Sequence, residues 1–274
     1  MEYNTVVHYR RLPDDPDSAS AWVLLDEGSR FFMTTKYAGD MGPAGQAAGH
    51  RDRVLFEAGY DYRRTLCVRQ THSRTVVDLR NETRMHSRIA EGGGPQADGI
   101  LFDPMVQAAG VTVADCMPIL LIPRAARDRS DGAGGSKIAP VRPKGTASVA
   151  AILHSGYRGT GIVTEAMRRL RSECGIAPSD LCAVLGPCIG GECYAVPAER
   201  AEEFGANFGE NTVSSDGGES YIDLRAANLN LLEAAGVPEI IVIDDCTHCE
   251  PRLGSYRRDG AGFTRMFAIA GRRR

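Results

Sequence analysis

Three residues of this chain carry side chains able to hold a metal ion, and each lies at the end of an apolar run that reads as a buried strand. Cys116 falls in Val111-Thr-Val-Ala-Asp-Cys-Met-Pro-Ile-Leu-Leu121, between two apolar stretches, and Pro118 is expected to make the backbone irregular just after it. His154 follows the run Ala150–Leu153 and opens into the glycine-rich Ser155-Gly-Tyr-Arg-Gly-Thr-Gly161. His72 follows the strand-like Leu66-Cys-Val-Arg-Gln70. One thiolate and two imidazoles, each about 2.0–2.3 Å from the ion, make a zinc site with a fourth position open. The three are about forty residues apart. Spacing alone therefore also allows a buried structural cysteine and two hydrogen-bonded histidines.

Other stretches could bear chemistry. In residues 155–161 small residues let backbone N–H groups approach an anion, a helix start follows, and Arg158 offers a fixed fork. The Gly-Lys-Ser/Thr ending of a Walker loop is absent, and an ordinary strand-to-helix turn explains the same residues. Cys188 and Cys193, with Cys246-Thr-His-Cys249, could form a four-cysteine structural zinc site. The second pair has knuckle spacing, but the first is longer than usual, and buried thiols are the default reading. Ser255-Tyr-Arg-Arg-Asp-Gly260 could set Arg257 or Arg258 on a phosphate or an internal carboxylate, or be solvated charge at a turn.

Several classes are disfavoured. The His-x-Glu then Pro-Cys-x-x-Cys pattern of the zinc nucleobase deaminases is absent as a whole. Multicopper oxidation needs a histidine-rich copper cluster, and the chain has six histidines, with His8 and His86 in solvent-type segments. A formal net charge of −3 argues against nucleic acid as a partner. No apolar run has transmembrane length, and Met1-Glu-Tyr-Asn-Thr5 starts no secretory signal. A cytoplasmic protein is expected, its eight cysteines reduced or metal-bound.

The elements that must position these residues follow from pattern. A hairpin is expected over 21–34, an irregular loop over 37–49, and a short helix from His50 to Gly59 with Arg51 at its start. Ile162–Cys174 reads as an amphipathic helix stopped by Gly175. Further helices are expected over 197–208 and 223–235, and strands over 97–102, 181–185, 239–244 and 264–270. Strands and helices interleave without a strict βαβ rhythm, which predicts an α+β fold of mixed sheets covered by helices. Residues 124–148 lack periodicity and read as a flexible insertion.

Taken in order, Gln70-Thr-His72, Ala97-Asp-Gly99, Val113-Ala-Asp-Cys-Met-Pro118, His154-Ser-Gly-Tyr-Arg-Gly159, Gly186-Pro-Cys-Ile-Gly190, Cys193-Tyr-Ala-Val196 and Ser255–Gly260 resemble the motifs of the YfiH-like family. That family is also called the laccase-domain or polyphenol-oxidase family and is associated with purine nucleoside phosphorylase activity. The match runs from about residue 30 to the C-terminus. The resemblance implies one α/β/β/α layered domain over 1–274, with zinc on His72, Cys116 and His154. Copper is an in vitro alternative that is not favoured.

It also implies purine nucleosides (adenosine, inosine, guanosine, methylthioadenosine) and phosphate as small-molecule partners, and adenosine deamination as an accompanying activity. His50-Arg51 matches an Asn-Arg pair of the family, so Arg51 inherits a role at the site and the Asn is lost. Arg51, Tyr157 and Arg158 are the expected substrate and phosphate contacts, and Asp115 the expected acid/base or supporting group. Tyr157 stands where Trp is usual, Val113 where Thr is usual, and Thr264 where Gly is common, which bears on substrate preference. Two other functions remain open at this point. One is a Cys-His hydrolase editing peptidoglycan precursors, with Cys116 as nucleophile; the other is a non-catalytic zinc-binding partner protein.

Overall fold

The central strands are near-continuous apolar runs, and successive side chains of a strand point to opposite faces, so these strands must be covered by two different layers. The computed structural model describes residues 5–13, 21–42, 45–61, 64–82, 94–124 and 149–274. In chain order its strands are β1 (Val6–Arg10), β2 (Trp22–Asp26), β3 (Phe31–Thr34), β4 (Thr65–Leu66), β5 (Val76–Asp78), β6 (Gly99–Phe102), β7 (Ala108–Val113) and β8 (Met117–Pro123). They continue as β9 (Ala150–Ser155), β10 (Leu181–Leu185), β11 (Ala195–Val196), β12 (Val213–Asp216), β13 (Glu219–Ile222), β14 (Glu239–Ile243) and β15 (Met266–Gly271). The α-helices are α1 (Gly45–Glu57), α2 (Ile162–Cys174), α3 (Ala198–Phe208), α4 (Leu224–Ala234) and the short α5 (Tyr256–Asp259).

A seven-stranded mixed sheet runs β1-β14-β10-β8-β9-β6-β5, and a five-stranded sheet runs β2-β3-β15-β7-β4. Their inner faces pack together through Leu120, Ile122, Ile152, Val184 and Ile241 from one sheet and Val111, Val113, Met266 and Ala268 from the other. The next residues along the same strands, Ile119, Leu121, Leu153, Ala183 and Val242, face the opposite way, under α2, α3 and α4. On the far side of the five-stranded sheet, Phe267 and Ile269 lie under Val54 and Leu55 of α1. The layers are thus α/β/β/α. A three-stranded sheet, β11-β13-β12, sits beside α3.

α2 has the expected bounds, its buried face is Ile162, Val163, Ala166, Met167 and Leu170, and Gly175 closes it in the left-handed region at φ 68°. The Asp223 side chain caps α4 by accepting from the N–H groups of Arg225 and Ala226. Three expectations change. α1 begins at Gly45 rather than His50, so much of the expected 37–49 loop is helix, and Arg51 lies inside the helix, buried. The run Val111–Leu121 is two strands in different sheets, since the chain crosses at Ala114–Cys116 from β7 to β8. Pro118 lies within regular β8, paired with His154. It sits at the last rung facing β10, where its carbonyl still accepts from Gly186, one residue beyond β10, and only the bond from the N–H it lacks is missing. The expected insertion beyond Arg124 and the reading of His86 fall outside the described residues.

Candidate metal centre

Antiparallel pairing of β8 with β9 brings Met117 opposite Ser155, so Cys116, one residue before β8, arrives at the end of β9 beside His154. His72 reaches the same point from the loop between β4 and β5. The ligand atoms of His72, Cys116 and His154 all lie within 4.8 Å of one another. The two imidazole rings meet edge to face, centroids 4.9 Å apart. His154 is buried, Cys116 half-buried and His72 exposed, so the cluster has a closed floor and an open side.

Asp98, buried just before β6, organises the cluster. Its Oδ1 lies 2.9 Å from His154 Nδ1 and accepts the His72 backbone N–H at 3.0 Å. Its Oδ2 accepts from the N–H groups of Thr71 (3.1 Å) and Ser73 (2.7 Å) and from the Ser73 hydroxyl (2.8 Å). With Nδ1 of His154 engaged, Nε2 is left to face Cys116. The loop fixed in this way holds His72 in the left-handed region at φ 59°, a strained position for a residue with a Cβ.

The electrostatics follow from these contacts. Burial works to raise the Cys116 thiol, but the charge and hydrogen bonds of His154, with His72, outweigh it and bring it down to about 6. Burial works to lower His154, yet the Cys116 thiolate and Asp98 push it up to about 9. Burial also opposes ionisation of Asp98, but its bonds to His154 and Ser73 hold it well below the usual carboxylate range. Without a metal the site is therefore a thiolate–imidazolium pair backed by a carboxylate. A glycine completes it: a Cβ on Gly156 would stand 2.5 Å from Cys116 Sγ.

The other expected site residues are dispersed. Arg158 is exposed on the loop after β9. Tyr157 is half-buried; its ring stacks on Phe204 (5.9 Å) and its hydroxyl donates to Glu203 (3.1 Å). Asp115, at φ 77°, turns its carboxylate away, accepting from the Thr247 hydroxyl and the Arg257 N–H, both at 2.7 Å. Arg51, only 2% exposed, lies on the buried face of α1 with its guanidinium 5.6 Å from the Phe267 ring centroid, and its Nε and Nη2 have no hydrogen-bond partner among the described residues. In the Ser255–Gly260 stretch, Arg258 is absorbed by the carbonyls of Thr247 and Leu253 and by Asp259, so its partners are internal. No local pattern assigns Asp98 a role; its only signal in the sequence is its place in the Ala97-Asp-Gly99 motif.

A layered α/β/β/α protein with a buried-carboxylate-backed His-Cys-His cluster able to hold a metal is thus defined. The chain matches the family described as multi-copper polyphenol oxidoreductase laccase over residues 39–128 and 142–273, and it belongs to that family. It is 28% identical over 234 residues to the purine nucleoside phosphorylase YlmD of Geobacillus stearothermophilus, covering 82% of this chain and 78% of the relative. It is 29% identical over 223 residues to the adenosine deaminase RL5 of an unknown prokaryotic organism, covering 78% and 77%. The crystal structure of Geobacillus stearothermophilus YlmD superposes with a TM-score of 0.77 at 25% identity, over 96% of this chain and 99% of that one. No helix among the described residues is long and apolar enough to cross a membrane.

Proposed function

We propose that this chain is a zinc-dependent purine nucleoside phosphorylase, acting on nucleosides such as adenosine, inosine, guanosine and methylthioadenosine, with adenosine deamination as an accompanying activity. The observation that carries this reading is the His72–Cys116–His154 cluster held by Asp98, in a chain whose relatives are named for those two activities. The donor set fits zinc: a thiol already ionised near neutral pH and two imidazoles, one oriented by a carboxylate. His72, Cys116 and His154 would hold the ion, which when bound would supply Lewis acidity and make a water acidic enough to serve deamination.

The rest falls to the chain's own residues. Asp98 fixes the orientation of His154 and compensates the positive charge beside it. Arg158, exposed directly after the ligand strand, takes phosphate and turns it toward the anomeric carbon of the ribose. Tyr157, braced on Phe204, forms an apolar wall for the nucleoside. Asp115 is a positioning residue, because both carboxylate oxygens are already engaged. Arg51, buried on α1 against the Phe267 ring, meets only an anion enclosed with it. The test is chromatographic. Adenosine, inosine and methylthioadenosine are incubated with purified protein, with and without phosphate. Free base that appears only with phosphate supports the reading, and nucleosides left intact by zinc-loaded protein refute it.

One observation favours a second reading. A buried imidazolium beside a depressed thiol is also the resting state of a Cys-His hydrolase, here one editing peptidoglycan precursors, with Cys116 as nucleophile. Such an enzyme is inactivated by thiol alkylation and survives a chelator. The zinc enzyme, its thiolate coordinated, behaves in the opposite way.

A further inference from the structure

A second sulfur cluster lies in the loops that hold Asp115. Cys193 closes the short helical turn Gly191–Cys193, while Cys246 and Cys249 flank the turn after β14. Their three Sγ atoms lie within 4.8 Å of one another, with Cys193 and Cys249 at 3.4 Å. For comparison, sulfurs on a tetrahedral zinc at about 2.3 Å stand about 3.8 Å apart. Cys246 is buried, Cys193 half-buried and Cys249 exposed, so the group opens to solvent on one side. The expected fourth cysteine does not join it: Cys188 is buried, its sulfur directed at the Ile189 carbonyl.

Two further features suit metal-bound thiolates rather than packed thiols. The Gly190 N–H points at Cys246 Sγ from 3.1 Å, the kind of donor that supports a coordinated sulfur. The Cys249 N–H bonds back to the Cys246 carbonyl at 3.2 Å, forming the tight turn that a Cys-x-x-Cys knuckle uses to aim both sulfurs at one point. We propose that Cys193, Cys246 and Cys249 form a second, three-thiolate site for zinc, with a fourth position open to water on the exposed side. Binding is an ionisation and not a redox step: each thiol loses a proton to solvent as its metal–sulfur bond forms, and the metal keeps its oxidation state. The two loops it joins already meet through a backbone β-bridge between Cys188 and Cys246, both free thiols, and both hold Asp115, through Ile189 and Thr247. The ion therefore staples the support of the neighbouring His-Cys-His centre.

The test is metal stoichiometry by mass spectrometry on folded, dialysed protein, with site-mapped alkylation alongside. Wild type is expected to hold two zinc ions, Cys193→Ser/Cys249→Ser one, and His72→Ala/His154→Ala one. Should the cysteine variant fail to fold, wild type decides alone: zinc added to metal-free protein must slow alkylation of exposed Cys249 by at least about tenfold. A zinc content that the cysteine variant keeps in full, Cys249 labelling indifferent to zinc, or a Cys193–Cys249 disulfide in place of bound metal overturns the proposal, whereas a single zinc lost with the cysteines counts against the His-Cys-His centre alone.

Discussion

Asp98 Oδ1 stands 2.9 Å from His154 Nδ1, and the backbone N–H of His154 donates to the Asp98 carbonyl at 2.7 Å. One residue on β6's doorstep thus fixes both the ring and the main chain of a candidate ligand on β9. Asp98→Asn is expected to lower zinc affinity and turnover by about 10- to 100-fold while the fold persists. Asp98→Ala, which also strips the five donors of Thr71, His72 and Ser73, should cost about 3 kcal/mol in denaturant unfolding. Because the folded carboxyl is depressed, its contribution is full above its ordinary value of 3.8 and is lost as pH falls through the folded value. An Asp98→Asn protein with unchanged zinc affinity would show that the carboxylate does not tune the site.

Gly156 makes a second prediction, this one steric. A methyl group there meets Cys116 Sγ at 2.5 Å and must push the thiolate off the site. Gly156→Ala should remain folded at a cost of about 1–3 kcal/mol and lose zinc from the His-Cys-His centre. Zinc content and circular dichroism on the same sample check both halves.

The thiolate–imidazolium pair gives a pH window in metal-free protein. Cys116, ordinarily at 9.0, ionises near 6, and its stabilising effect is complete above 9 and fades as pH falls toward 6. His154, ordinarily at 6.5, holds its proton to about 9, and its effect is complete below 6.5 and fades as pH rises through 9. Alkylation of Cys116 after chelation should therefore show an apparent midpoint near 6. His154→Ala should move that midpoint upward. A wild-type midpoint near 9 would mean that the pair does not form.

The Asp115 clamp separates positioning from proton transfer. Thr247→Val removes a buried hydroxyl 2.7 Å from the carboxylate and should cost about 1–3 kcal/mol. Asp115→Asn keeps the shape and should leave the pH–rate profile unmoved even as turnover falls. A profile that loses a limb would instead make Asp115 the acid or base.

How much of this was legible in the chain depended on distance along it. The clustering of His72, Cys116 and His154 could be read because each member ends an apolar run, and strand ends are where a sheet presents side chains to a shared mouth. α2 was readable to the residue, since its apolar spacing and Gly175 stop are both local. Asp98 was not, because the value of its carboxylate comes from β6 lying beside β9, which no local pattern encodes. Pro118 misled for the same reason: whether a missing N–H disrupts a strand depends on its place in the sheet, and Pro118 sits at the last rung, just past the end of β10, where Gly186 still donates to its carbonyl. Arg51 read as a helix-start residue able to reach phosphate because the Gly- and Ala-rich start of α1 carries no apolar period, which hid the helix turn that buries it.

The most direct test of the account is phosphate-dependent release of hypoxanthine from inosine by zinc-loaded protein, by the same protein stripped with a chelator, and by the stripped protein given zinc again. Release that needs phosphate, disappears on stripping and returns with zinc is the predicted result. Release that survives stripping, or zinc-loaded protein that leaves inosine intact, would contradict it.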